Sequence, residues 1–166
     1  MNNLKSRRTF IVGLSSTKIT NKERLFLKKF KPWGVILFSR NIKSVDQTKK
    51  LTNDIKKIFK DPNYPILIDE EGGIVTRIKS IIDNSHFPAK YFGDDYKKDK
   101  NKSLLYLRTY IKQISHLLRY MGISINTVPV LDIPRPFTSK VIGTRAISKD
   151  INVINKIGEK TIEHFK

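Results

Sequence analysis

Four short apolar runs punctuate the chain: "TFIVGLS" (9–15), "WGVILFS" (33–39), "PILID" (65–69) and "ISINTVPVLDI" (123–133). Each stays largely apolar instead of alternating, the pattern of a strand buried on both faces in a parallel sheet. The segments between them carry helical spacing. Thr20 or Asn21 caps "KERLFLKKF", and Ser44 caps "VDQTKKLTNDIKKIF", whose Val45, Leu51, Ile55 and Ile58 share one face. After Ser103, the residues Leu104, Leu107, Ile111, Ile114, Leu118 and Met121 form a stripe that Gly122 stops. A last helix is expected from near Asp150 through Ile154, Ile157, Thr161 and Phe165.

This order, βαβαβαβα, predicts one α/β domain over residues 1–166, with a parallel sheet and right-handed crossovers, either doubly wound or barrel. There is no P-loop, and no G-x-G-x-x-G follows a strand, so the nucleotide-binding versions lose ground. Residues 72–102 read as a long irregular connection with "HFPAKYFGDD" (86–95) inside it. Long loops after a strand's C-terminal end are where such sheets carry their sites.

Charge adds a second theme, since 33 Lys and Arg face 15 Asp and Glu for a net +18. The lysines are scattered through every segment and cluster only in "YKKDKNK" (96–102). With no nucleic-acid motif and no interleaving of aromatic and basic residues, no specific nucleic-acid partner is expected. The lack of cysteine removes disulfides and thiolate metal sites. His86 and His116 have no partner at metal-ligand spacing, so neither a metal nor a cofactor is expected. "MNNLKSRRTFIVGL" is basic, then too briefly apolar for a signal-peptide core, and no run approaches the roughly 20 apolar residues of a membrane span. The expectation is a soluble cytoplasmic protein with no membrane partner.

The chemistry concentrates in "LIDEEGGIVTRI" (67–78). Asp69 falls where an apolar strand runs out, Gly72 and Gly73 allow a tight turn, and Arg77 returns a positive charge. A carboxylate with arginines is suited to vicinal sugar hydroxyls, the carboxylate accepting O–H bonds and the guanidinium donating others. A structural ion pair at the strand end is the alternative use of the same residues. "NTVPVLDIPRP" (126–136) ends a strand with Asp132, and "VIGTRAIS" (141–148) offers Arg145, so the loops could present Asp69, Arg77, Asp132 and Arg145 as a polar cup.

"GVILFSRNI" (34–42), "IDEEGGIVTRI" (68–78), "FPAKYFG" (87–93), "INTVPVLDI" (125–133) and "VIGTRAIS" (141–148) occur in this order. Together they resemble the N-terminal half of the catalytic barrel of family 3 glycoside hydrolases, closest to bacterial cytoplasmic β-N-acetylhexosaminidases of peptidoglycan recycling. The resemblance implies four βα units of a TIM (β/α)8 barrel. It also implies an N-acetylglucosamine-containing muropeptide or saccharide as ligand. By it, Asp69 binds the hydroxyls of the terminal sugar with Arg77 and Arg145 as its partners, and Glu71 holds the loop. The sequence departs from the family at Glu70, usually Gln, at Ile74, usually Arg, and at Ile147, where an aromatic is common.

Retaining glycosidases need a nucleophile and an acid/base group flanking the scissile bond. The resemblance places the acid/base histidine and the nucleophilic aspartate beyond Lys166, so no catalytic residue is expected here. "EHFK" (163–166) lies in a helical pattern, which makes His164 a helix-surface residue. The expected protein is therefore a truncated or split glycosidase, inactive alone, whose second half-barrel a separate chain could supply. The alternative is a non-catalytic sugar-binding or basic interaction domain.

Overall fold

A computed structural model describes residues 7–165. In chain order the elements are β1 (Arg8–Gly13), α1 (Asn21–Phe30), β2 (Pro32–Leu37), a 3-10 turn (Ser39–Asn41), α2 (Val45–Phe59), β3 (Ile66–Ile68), α3 (Ala89–Lys98), α4 (Lys100–Tyr120), β4 (Ile125–Asn126), a second 3-10 turn (Gly143–Arg145) and α5 (Ile151–Phe165). The four strands form one parallel sheet in the order β1-β2-β3-β4. A doubly wound sheet reverses its strand order at a switch point, whereas a barrel adds each strand beside the last. The sequential order is therefore that of the first four βα units of a (β/α)8 barrel. The chain divides into two compact units, one of residues up to Asp69 with Leu118–Asn126, the other of Glu70–Leu117 with Thr127 onward.

The first unit holds the sheet. Val35, Leu37, Ile66 and Ile68 are fully buried, as unbroken apolar runs require of strands covered on both sides. The register pairs Val35 with Ile66 and Leu37 with Ile68, then Leu67 with Ile125. β1 pairs on one side only among the described residues, as the first of four sequential strands does, and it departs from the expected burial on both faces in that Ile11 is 45% exposed. α1 starts with a capping box: Thr20 Oγ1 accepts from Glu23 N at 3.2 Å, and Glu23 Oε2 accepts from Thr20 N at 2.8 Å. Ser44 caps α2 by accepting from Gln47 N at 3.3 Å.

Buried Asn41 ties the β2 loop to the β1 loop. Its Nδ2 donates to Leu14 O at 3.0 Å and Ser16 O at 2.9 Å, while its Oδ1 accepts from Phe38 N at 2.9 Å. The Asn in "FSRN" thus supplies backbone partners that the loops cannot give one another. Gly122, with φ 82°, ends α4 in the left-handed region that favours glycine.

The second unit packs α3 on α5 around Phe92, Leu107, Ile111, Ile147, Val153, Ile154 and Ile157. α3 occupies what reads in the sequence as irregular connection. Its Gly93 lies so close to the Ile147 carbonyl that a Cβ would overlap it, so helix and loop meet backbone to backbone. α4 begins before Ser103. Asp99 Oδ1 accepts from Lys102 N at 3.0 Å, and Ser103 is buried with its Oγ donating to Phe92 O at 3.1 Å. β4 is far shorter than the apolar run 123–133 suggests. Pro129 and Pro134 carry no N–H, and a ladder cannot continue through them.

Candidate functional site

β3 ends at Ile68, and Asp69 follows it, half-buried. That position matches the sequence expectation: a carboxylate at the C-terminal end of a parallel strand, where barrels place their ligand groups. Each of the next two acids has a structural partner in the second unit. Glu70 is 3% exposed, and its Oε2 accepts from Arg77 N at 2.6 Å and Ile78 N at 3.2 Å. Its Oε1 accepts from Asn84 Nδ2 at 3.3 Å. One carboxylate thus satisfies donors that the loop would otherwise bury unpaired.

The loop closes further on itself. Glu71 N donates to Val75 O at 3.0 Å, and Gly73 N donates to Asn84 O at 2.9 Å. Gly72 and Gly73 have φ of 75° and 63°, and a Cβ on Gly72 would strike the Phe87 carbonyl. Both glycines are needed for backbone shape and close approach together.

Arg145 closes the turn Gly143–Arg145 and binds Glu71 at two points, Nε to Oε2 at 2.8 Å and Nη2 to Oε1 at 2.9 Å. This planar fork is the geometry a guanidinium offers a carboxylate. The loop role expected of Glu71 is therefore shared: Glu70 holds the loop's own backbone, and Glu71 fastens it to the 141–148 segment. Glu70 lies packed inside the loop as one of its hydrogen-bonding groups.

A cavity of about 50 Å³ is lined by Glu70, Glu71 and Arg145 together with Tyr110, Phe92 and Ile147. Tyr110 Oη is buried there with no hydrogen-bond partner among the described residues. Burial pushes the phenol's pKa up, and the Glu70 carboxylate pushes it the same way, so the phenol stays protonated.

Arg77 is half-buried and donates its backbone N–H to Glu70. Asp132 is exposed in an irregular stretch past the end of β4, which corrects its expected place at a strand end. Of the family departures, Ile74 is 69% exposed and Ile147 is 1% exposed in the core beside Gly93. His164 lies on α5; burial lowers its pKa, Glu163 opposes that, and Arg108, Lys160 and Lys112 add to it. The carboxylate assignments within the acidic run could not be read from the sequence, because the partners Ile78, Asn84 and Arg145 lie 8, 14 and 74 residues away.

The fold is an α/β arrangement of the barrel type with an acidic, glycine-containing loop after its third strand. The chain belongs to the glycosyl hydrolase family 3 N terminal domain family, whose model matches residues 4–166. It is 30% identical over 144 residues to a beta-hexosaminidase of Xanthomonas campestris pv. campestris, covering 87% of this chain and 42% of the relative. A beta-hexosaminidase of Hydrogenovibrio crunogenus is 30% identical over 157 residues, 94% of this chain and 43% of its own length. The chain thus spans less than half the length of these curated relatives. Among solved structures, native NagZ from Neisseria gonorrhoeae superposes with a TM-score of 0.85 at 24% identity, over 96% of this chain and 46% of that one. The β-N-acetylglucosaminidase of Thermotoga maritima gives 0.69 at 17% identity, over 94% of this chain and 30% of that one. No helix among the described residues is long and apolar enough to cross a membrane.

Proposed function

We propose that the chain provides the sugar-gripping part of a β-N-acetylhexosaminidase-type glycoside hydrolase acting on terminal β-linked N-acetylglucosamine, in the cytoplasmic recycling of peptidoglycan. Asp69 accepts hydrogen bonds from the sugar hydroxyls, and Arg77 and Arg145 donate to the same ligand. The observation that carries this reading is the position of Asp69, which directly follows the C-terminal end of β3, where barrels place their ligand groups. A related structure supports the same reading: the Neisseria gonorrhoeae relative has been solved in complex with N-trifluoroacetyl-D-glucosamine.

By the family resemblance, the acid/base histidine and the nucleophilic aspartate are not among these 166 residues. A glycosidase stripped of its chemical groups keeps binding and loses nearly all turnover. These 166 residues on their own therefore bind without hydrolysing.

The test titrates the 166-residue chain with N-acetylglucosamine by protein-observed NMR, beside an assay with a chromogenic N-acetylglucosaminide. The expected result is saturable binding, weakened at least tenfold by Asp69→Asn, and no release of chromophore. Binding indifferent to Asp69→Asn, no binding by the native chain, or turnover by the chain alone would each overturn the reading.

A further inference from the structure

The first unit contains a second concavity, at the N-terminal ends of β3 and β4. Asp69, by contrast, follows the C-terminal end of β3. The cleft measures about 350 Å³ and is lined by Lys56 of α2, Asn63 and Tyr64 of the α2–β3 turn, Arg119 of the last turn of α4, and Gly122 and Ser124 before β4. That volume lies in the range of small-ligand sites.

Its chemistry is one-sided. Among the described residues, no lining side chain is acidic, and neither Lys56 nor Arg119 forms an ion pair. Burial lowers the pKa of the Lys56 ammonium, and Asp61, the nearby acid, only partly offsets this. Asp61 is itself engaged, by the Arg7 guanidinium and by Asn63 N at 2.8 Å. A cation in the last turn of α2 complements the helix C-terminus, which accounts for Lys57 as well as for Lys56. The same holds for Arg119 in the last turn of α4, but helix-end complementarity does not require the two cations to face one cleft. Two unpaired cations facing one partly enclosed space repel each other unless an anion lies between them. Gly122 also bears on the space. A Cβ there would stand 3.4 Å from Lys56 Nζ and crowd Thr52 Oγ1, so the glycine leaves the flank of the ammonium clear.

We propose that this cleft binds a small phosphate monoester, with the phosphate dianion held between the Lys56 ammonium and the Arg119 guanidinium and the Asn63 amide donating to it. Two cations match a dianion in charge. The planar fork of arginine suits phosphate oxygens, and lysine supplies a point charge beside it. In barrels the N-terminal face does not carry the chemistry, and the site lies at the end of β3 opposite to Asp69.

The test follows amide shifts of the 166-residue chain during titration with a hexose 6-phosphate and with inorganic phosphate, and with sodium chloride at matched ionic strength. The expected result is saturable shifts at Asn63, Gly122 and Ser124 with either phosphate and not with chloride. Affinity should fall at least tenfold in Lys56→Gln or Arg119→Gln, fall less in Arg119→Lys, and be unchanged in Lys57→Gln. Equal shifts with chloride, no saturable binding by the native chain, or unaltered affinity in the Lys56→Gln/Arg119→Gln double variant would overturn the proposal. So would equal weakening by Lys57→Gln, which would mean a diffuse lysine coat.

Discussion

Arg145 and Glu71, 74 residues apart, meet in a two-point ion pair with side chains 23% and 10% exposed. At that burial, charge-assisted hydrogen bonds are worth roughly 1.5–3 kcal/mol each before solvent exposure reduces them. Arg145→Ala should therefore destabilise the fold by about 2 kcal/mol. Arg145→Lys should recover only part of this, because an ammonium cannot reproduce the fork. Urea unfolding of Glu71→Gln, Arg145→Ala and the double variant measures the pair directly. A coupling energy near zero would mean that the pair contributes nothing.

Glu70 yields a sharper contrast. Glu70→Ala strands the N–H groups of Arg77 and Ile78, at a cost of about 1–3 kcal/mol for each group left buried without a partner. Glu70→Gln keeps an acceptor for them, and Asn84 can turn its amide over to accept from the new NH₂ group. The Gln variant should therefore stay within about 1 kcal/mol of the parent. Amide exchange at Arg77 and Ile78 should accelerate in the Ala variant and not in the Gln variant. If both accelerate alike, the charge and not the acceptor holds the loop.

The pH dependence of α1 follows from Glu23. Burial pushes its carboxyl pKa up, but hydrogen bonds from Ser15 N at 2.7 Å, Thr20 N at 2.8 Å and the neighbouring hydroxyls outweigh it and hold the pKa below the usual range. A carboxyl lowered by folding stabilises the protein above its unfolded pKa, and that gain is lost as pH falls through the folded value. Glu23→Gln should flatten the acid limb of a thermal-stability profile and leave its neutral limb shifted by a constant. An acid limb of unchanged slope would show that Glu23 is not the titrating group.

The elements legible in the sequence were those whose signal is local. Apolar runs, the caps Thr20 and Ser44, and the stop at Gly122 gave the four βα units and the order of the motifs. Errors arose where a pattern was overruled by something it does not contain. The run 123–133 looks like a strand by hydrophobicity, but its prolines withhold ladder donors and the strand closes at Asn126. α3 was hidden because Gly93 is a poor helix residue, and its presence makes sense only against the Ile147 carbonyl in another segment. In the site, the position of Asp69 was legible because the end of a strand is a local feature. The tasks of Glu70 and Glu71 were not, because their partners are set by tertiary packing.

The sheet itself predicts association. Among the described residues β1 pairs only with β2 and β4 only with β3, which leaves each with an unpaired edge. β4 is two residues long and is followed by Pro129, so it makes a poor template. β1 is six residues long, contains no proline, and exposes Ile11 at 45%. An edge of that kind invites a second copy, and the net charge of +18 opposes it. The balance is set by screening, since the Debye length falls from about 10 Å at 0.1 M salt to about 3 Å at 1 M. Sedimentation velocity should therefore find mostly monomer at about 20 mM salt and dimer or larger species near 1 M. Ile11→Lys, which puts a charge on the edge, should suppress the shift, whereas Ile74→Lys, an equally cationic change in the 70–88 loop, should suppress it far less. A single monomer boundary at every salt concentration, or equal suppression by the two variants, would show that the β1 edge does not drive association.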